Sequence, residues 1–364
     1  MAKDARAAER QGRFADAIRL AGAILERNPA HREAASVAID AHLASHDREG
    51  AMRAYERFAQ AARSDDAALL APIAKAELQA LSSPSTFTAV SVSALEELAR
   101  TGDPSSRASL VMAAKTEREA PRGRLALLAL GRLGDSDALA ELAQMAEESH
   151  GQARIAVMQT LSKSSYSGVA ALLRRGLADR DPMVRVAALE GMANLRRPEV
   201  RGDVQQALTD TVSIVRLSAA VALHRLGDAS ADEVLWQALR SDVVDVRLLA
   251  ARAFVGGHDR SWVAAIEPVL TNPEGLNRVH AAGLLLRDRL ARAAALKVLT
   301  KATVDENPVV RLEAARLLAD DGEAPAAVLR PLLHDNDESV RLRAAARLLA
   351  NAATSAPANS KRPR

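Results

Sequence analysis

The chain has no cysteine. That excludes disulfides, thiolate zinc sites, iron–sulfur ligation and a cysteine nucleophile, while leaving the compartment open. Aromatic residues are 2% of the 364, so the stacking platforms that hold single-stranded nucleic acid are scarce. No apolar run approaches the length that spans a bilayer. The opening residues, Met1-Ala-Lys-Asp-Ala-Arg, are charged where a secretory leader is apolar. No membrane span and a cytoplasmic location are the resulting expectations. A strong charge of either sign is missing too. The formal net charge is +3, and Lys361, Arg362 and Arg364 account for all of it. Without them the balance is zero, and nucleic acid is disfavoured as a partner. Most of the basic residues are arginine, and alanine is abundant. This is the bias of a GC-rich bacterial genome, read here as composition before function.

What the chain has is a period. Arginine recurs at Arg124, Arg154, Arg185, Arg216, Arg247, Arg278, Arg311 and Arg341, about 31 residues apart. The phrase around it returns as Val184-Arg-Val-Ala-Ala, Val215-Arg-Leu-Ser-Ala, Val246-Arg-Leu-Leu-Ala, Val310-Arg-Leu-Glu-Ala and Val340-Arg-Leu-Arg-Ala. An acid stands six residues earlier in five units: Glu148 before Arg154, Asp179 before Arg185, Asp210 before Arg216, Asp305 before Arg311 and Asp335 before Arg341. Gly134, Gly227 and Gly322 mark helix ends, and Pro182 and Pro308 mark helix starts. Each unit reads as a helix, a short turn and a second helix opening near the arginine.

These phrases resemble HEAT repeats, in the short form of bacterial proteins and of the phycobilisome lyase group. The resemblance implies an all-α solenoid of stacked helical hairpins, with about eight repeats from residue 104 in an array over 92–352. The acid and the arginine are expected to pair within a unit or with its neighbour, as a structural ladder rather than an anion-binding column. The N-terminal stretch has a different period, near 34 residues. Gly12, Phe14, Ala17, Ile24 and Pro29 resemble the turn, packing and helix-ending positions of a tetratricopeptide repeat, with a weaker copy in which Ala51 follows Ala17. A tetratricopeptide-like segment is expected over 1–81. Ser82 to Ser91 read as a linker, and 353–364 as a disordered basic tail.

In HEAT arrays the second helices line the concave side, so the resemblance places a partner there. Positions two and five after each arginine vary in character, and residues three apart share a helix face. They form an expected outward stripe of Gln159, Glu190, Val221, Leu249, Arg252, His280, Glu313, Arg316 and Arg343. Val221 and Leu249 are the telling members, because exposed aliphatics there would mark a contact patch.

Chemical signatures are wanting. There is no phosphate-binding glycine loop, no Gly-x-Ser-x-Gly elbow and no His-Glu-x-x-His. His42 and His46 are four apart, without an evident third ligand. HEAT-type di-iron hydroxylases carry repeated His-Glu pairs, and this chain has no such dipeptide. Trp236 and Trp262 fall in first helices and read as packing residues, not as a base clamp. No catalytic residue, metal or cofactor is expected. The favoured function is a monomeric, non-enzymatic adaptor that binds a protein. A lyase-type enzyme or subunit and a nucleic-acid binder are the alternatives.

Overall fold

The structure is a computed structural model describing residues 1–86 and 88–355. These residues form helices and turns, with no strand among them. They divide into two compact units, one of Met1–Asp103 with Ala315–Arg364 and the other of Pro104–Ala314.

The first unit begins with α1 (Ala2–Arg10), α2 (Phe14–Arg27), α3 (Arg32–Ala44), α4 (Arg48–Ala62), α5 (Ala67–Leu81) and α6 (Thr88–Arg100). Each packs on the next, and α3 also touches α1 and α5. Alanines at the interfaces, such as Ala5, Ala17 and Ala21, are fully buried and let the helices approach closely. Two charged links each span 34 residues: Arg6 to Asp40 at 2.9 Å and Arg32 to Asp66 at 2.6 Å. The linker is shorter than the sequence suggests. Helix α6 opens at Thr88, so only 82–87 separate it from α5. Ser91 does not break the helix because it is buried there and its hydroxyl donates to the Ser82 carbonyl at 3.0 Å.

The second unit runs through α7 (Pro104–Thr116), α8 (Pro121–Arg132), α9 (Ser136–Glu148), α10 (Gly151–Ser162), α11 (Val169–Leu177), α12 (Pro182–Leu195), α13 (Arg201–Gln206), α14 (Ser213–Arg225), α15 (Asp232–Ala238), α16 (Val244–Phe254), α17 (Ser261–Ile266), α18 (Gly275–Leu285) and α19 (Arg292–Ala302). Helix α20 (Pro308–Asp320) begins in this unit. Odd-numbered helices are the first of each pair, and even-numbered ones carry the recurrent arginine. Successive second helices pack on one another from α8 to α18. They bury the alanines after each arginine, for example Ala187, Ala188, Ala219, Ala220, Ala250 and Ala251. Several pairs end in a left-handed glycine, as Gly134 and Gly227 do at φ 79° and 77°. Pro182 takes the first helical position of α12, behind an Asp181 side chain that accepts from Met183 N–H at 2.8 Å.

The last pair, α21 (Ala326–Leu329) and α22 (Glu338–Ser355), belongs to the first unit. Helix α22 packs along α5 and also touches α6. It buries Val340, Ala344, Ala345 and Leu348, and α5 buries Leu70, Ala74 and Leu78. The junction is charged as well as apolar. Arg341 Nε lies 2.9 Å from Glu77, Arg330 lies 2.7 Å from Asp65, and the Arg330 guanidinium sits 5.8 Å from the centre of the Tyr55 ring. The sequence divides the chain into an N-terminal segment and one array over 92–352. Packing divides it differently, because α5 covers the apolar face of α22. Residues 353–355, expected in a disordered tail, continue α22. The remainder of that tail, 356–364, lies outside the described residues.

Candidate partner-binding face

The arginine column is a ladder with two kinds of rung. Each guanidinium first ties down its own turn. Arg185 donates to the Asp179 carbonyl at 2.8 Å, Arg216 to that of Asp210 at 2.7 Å, and Arg247 to that of Ser241 at 2.7 Å. Arg278, Arg311 and Arg341 repeat the bond to Asn272, Asp305 and Asp335 at 2.8, 2.9 and 2.8 Å. The residue six before the arginine thus serves it through its carbonyl, not its carboxylate. The carboxylate faces the preceding unit. Asp179 pairs with Arg154, and Asp210 takes both arms of the Arg185 fork at 2.8 and 2.9 Å. Asp305 lies 3.8 Å from Arg278.

The same acid also caps the N–H two residues on, as Asp210 does for Val212 at 2.8 Å and Asp335 for Asp337 at 2.8 Å. Asn272 and Ser241 keep that cap, at 2.9 and 3.2 Å. They cannot supply the charge, so Arg216 and Arg247 hold their turns without a carboxylate from the next repeat. Glu148 is an exception to the expected pattern. It closes α9, is exposed, and leaves Arg154 to bond the Glu147 carbonyl at 3.3 Å. The turn there is different: Gly151 has φ 53° and no Asx cap forms. The ladder shifts its carboxylates. The Arg185 fork holds Asp210 below the usual carboxylate range against the opposing effect of burial. For Asp179 burial pushes up, and the Asp181 N–H and Arg154 together outweigh it.

The expected stripe comes together at its centre. Glu190, Val221, Leu249 and Arg252 line one shallow groove with Ala193, Ser218, Ala222 and Arg225. Val221 is not exposed, however: only 8% of its surface is accessible. The reason lies above it. Glu190 on α12 and Arg252 on α16 pair at 3.0 Å across the intervening α14, so Val221 becomes a floor. Ser218, also on α14, is 4% exposed, and its hydroxyl has no hydrogen-bond partner. Leu249 is half-buried. His280 and Glu313 approach to 3.3 Å between α18 and α20, and Gln159 is exposed. Arg316, which bonds Asp320 at 2.9 Å, and the exposed Arg343 belong to the first unit. The most exposed aliphatics lie elsewhere, at positions such as Val304, Leu290, Val243 and Val309. Sequence reasoning passed over Arg225, which lies nine residues after Arg216 and outside the two offsets used to define the stripe.

Other candidates resolve into packing. Trp262 is buried in α17, and Trp236 stacks on Phe254 with centroids 4.4 Å apart. His42 bonds Asp47 at 2.8 Å, while His46 lies beyond the end of α3 in a left-handed turn at φ 59°. The two therefore do not share a helix face. Among the described residues no group of three or more His, Asp or Glu is placed to hold a metal, and no helix is long and apolar enough to cross a membrane.

Comparison with known proteins bears on this region. A family model described as HEAT repeats matches residues 169–254, the stretch from α11 to α16 that holds the groove. No curated protein matches the chain. Among solved structures, human deoxyhypusine hydroxylase in complex with glycerol is similar at 22% identity, over 67% of this chain and 96% of that one, with a TM-score of 0.37. Two engineered proteins are similar at 20% and 23% identity. The first covers 88% of this chain and 98% of its own, at a TM-score of 0.34. The second covers 72% and 96%, at 0.21. Superpositions this loose carry no argument. The matched repeats and the helix pairs that continue their arginine phrase make this chain a HEAT-repeat protein.

Proposed function

We propose that the chain is a non-enzymatic scaffold of the cytoplasm that holds a protein partner along the second-helix face of its HEAT array. The observation that carries this reading is the Glu190–Arg252 pair at 3.0 Å. The two residues stand on second helices two repeats apart. Neighbouring helices sit about 8–10 Å apart, so a flat stack would separate α12 and α16 by roughly twice that, beyond comfortable reach of a Glu and an Arg. Their meeting fits a local curvature with second helices inside, and an inward-curving helical face is what repeat arrays offer to extended partners. The groove beneath has an apolar floor, a half-buried Leu249 and charged walls. That mixture suits a protein surface.

The test is capture from a lysate of the source organism, comparing wild type with Leu249→Asp/Arg252→Glu and identifying retained proteins by mass spectrometry. A protein held by wild type and lost by the variant, with helicity unchanged, is the expected result. Identical capture by both would remove the groove from the reading. Absence of any retained protein would turn attention to an enzymatic or nucleic-acid role.

A further inference from the structure

Beside the groove, at the C-terminal ends of α10, α12 and α14, lies a second pocket of about 860 Å³ including its open mouth. Its walls are Lys163, Arg196, Arg197 and Arg225, with Asn194 and Ser164 between them. No carboxylate lines it. Lys163, Asn194 and Arg225 occupy the same register in successive repeats, and Arg225 donates to Asn194 at 2.9 Å across that 31-residue step. Arg225 also lines the groove that holds Val221 and Leu249, so the two depressions adjoin.

Helix C-termini attract cations, and a plain reading is that these residues only cap their helices. The magnitudes are against it. A helix end carries roughly half a negative charge, so three ends offset less than half of four positive side chains. The surrounding protein depresses the Arg225 pKa, and the positive charges of Arg252 and Arg196 depress it further, with Glu190 alone opposing. Like charges are thus held together with little internal compensation.

We propose that this basic pocket receives the carboxylates of an acidic, aliphatic-bearing segment of a partner protein, whose apolar side chains lie against the half-buried Leu249 beside it. The assignment rests on the scaffold reading and names the chemistry of the partner. Charge complementarity identifies carboxylates, and the adjoining half-buried Leu249 identifies the aliphatic side chains. A nucleic-acid strand is the poorer fit, since neither depression contains an aromatic residue on which a base could stack.

Fluorescence anisotropy of the full chain at low ionic strength, with a labelled synthetic peptide alternating Glu and Leu as probe, tests this. Wild type is expected to bind the probe more tightly than a Glu–Ser peptide of equal charge, with affinity falling as salt rises. Arg197→Glu/Arg225→Glu should weaken binding about tenfold or more. The exposed Lys163→Glu should weaken it in the same direction if the double variant fails to fold. Arg240→Glu/Arg287→Glu, an equal charge change outside the pocket, should leave it within about twofold. Equal loss in that control overturns the proposal, as does no preference for the Leu-containing peptide. An oligonucleotide that binds more tightly with the same variant dependence reassigns the pocket to nucleic acid. Displacement of the peptide by inorganic phosphate alone reduces the pocket to a simple anion site.

Failure here is separable from failure of the scaffold reading. Partner capture that needs Leu249 and Arg252 but survives Arg197→Glu/Arg225→Glu keeps the scaffold and removes the pocket. Pocket-dependent peptide binding without any captured protein does the reverse.

Discussion

Arg185 holds two repeats with one side chain: its fork grips Asp210 of the next unit, and a third donor closes its own turn on the Asp179 carbonyl. Arg216 makes only the second kind of bond, because position 241 is serine. Arg185→Ala should therefore cost more stability than Arg216→Ala, by about 1 kcal/mol after allowing for partial exposure of the pair, as read by urea unfolding of each variant. The difference should depend on pH. Asp210 has a folded-state pKa below its unfolded value, so its contribution is present above the ordinary carboxylate range and is lost as pH falls through the depressed folded value. The two variants should converge in stability in acid. A gap that persists there would mean the fork acts by packing alone. The arginines and acids of this ladder are legible in the sequence. The division of labour is not, because a carbonyl and a carboxylate of one aspartate point to different repeats. The burial of Val221 is hidden from the sequence for a similar reason: its cover comes from α12 and α16, not from its own helix.

At the scale of the helix, the pairing follows from signals the sequence displays openly, namely proline and aspartate at helix starts and glycine at helix ends. Close approach of backbone to backbone is less visible. Gly123, near the start of α8, would place a Cβ 2.0 Å from the Glu117 carbonyl oxygen and 2.4 Å from its carbon. A backbone cannot swing aside as a side chain can, so Gly123→Ala should destabilise by about 1–3 kcal/mol. Gly191 on α12 meets side-chain carbons rather than backbone, those of Leu173 at 2.6 and 3.1 Å and of Ser162 at 3.2 Å, and Gly191→Ala should cost less. Thermal melts of both variants check the order, and equal melting temperatures would show that the α7–α8 turn yields. The basic pocket lies at the ends of second helices, where lysine and arginine are commonplace. The clue was their register, nine residues past Arg154 and Arg216. That regularity acquires meaning only once α10, α12 and α14 are known to end side by side.

For the molecule as a whole, the informative feature is the packing of α5 on α22. Glu77 receives Arg48 and Arg341 together, with only 12% of its side chain exposed. Glu77→Lys should loosen both helices. Hydrogen exchange should show lost protection in 67–81 and 338–355, with 182–254 unchanged. Uniform loss across all three segments would mean that the two units unfold together. No local pattern announces this junction, since Glu77 and Arg341 are 264 residues apart and periodicity reports only on neighbours in sequence.

The junction also orders events in time. A ribosome releases α5 long before it has made α22, and at roughly 5–20 residues per second the interval is on the order of 10–50 seconds. Throughout that interval the α5 face bearing Leu70, Ala74 and Leu78 has no cover from α22. The nascent chain must keep this face from rival hydrophobic surfaces, by provisional contacts of its own or with a chaperone's help, until its cover is translated.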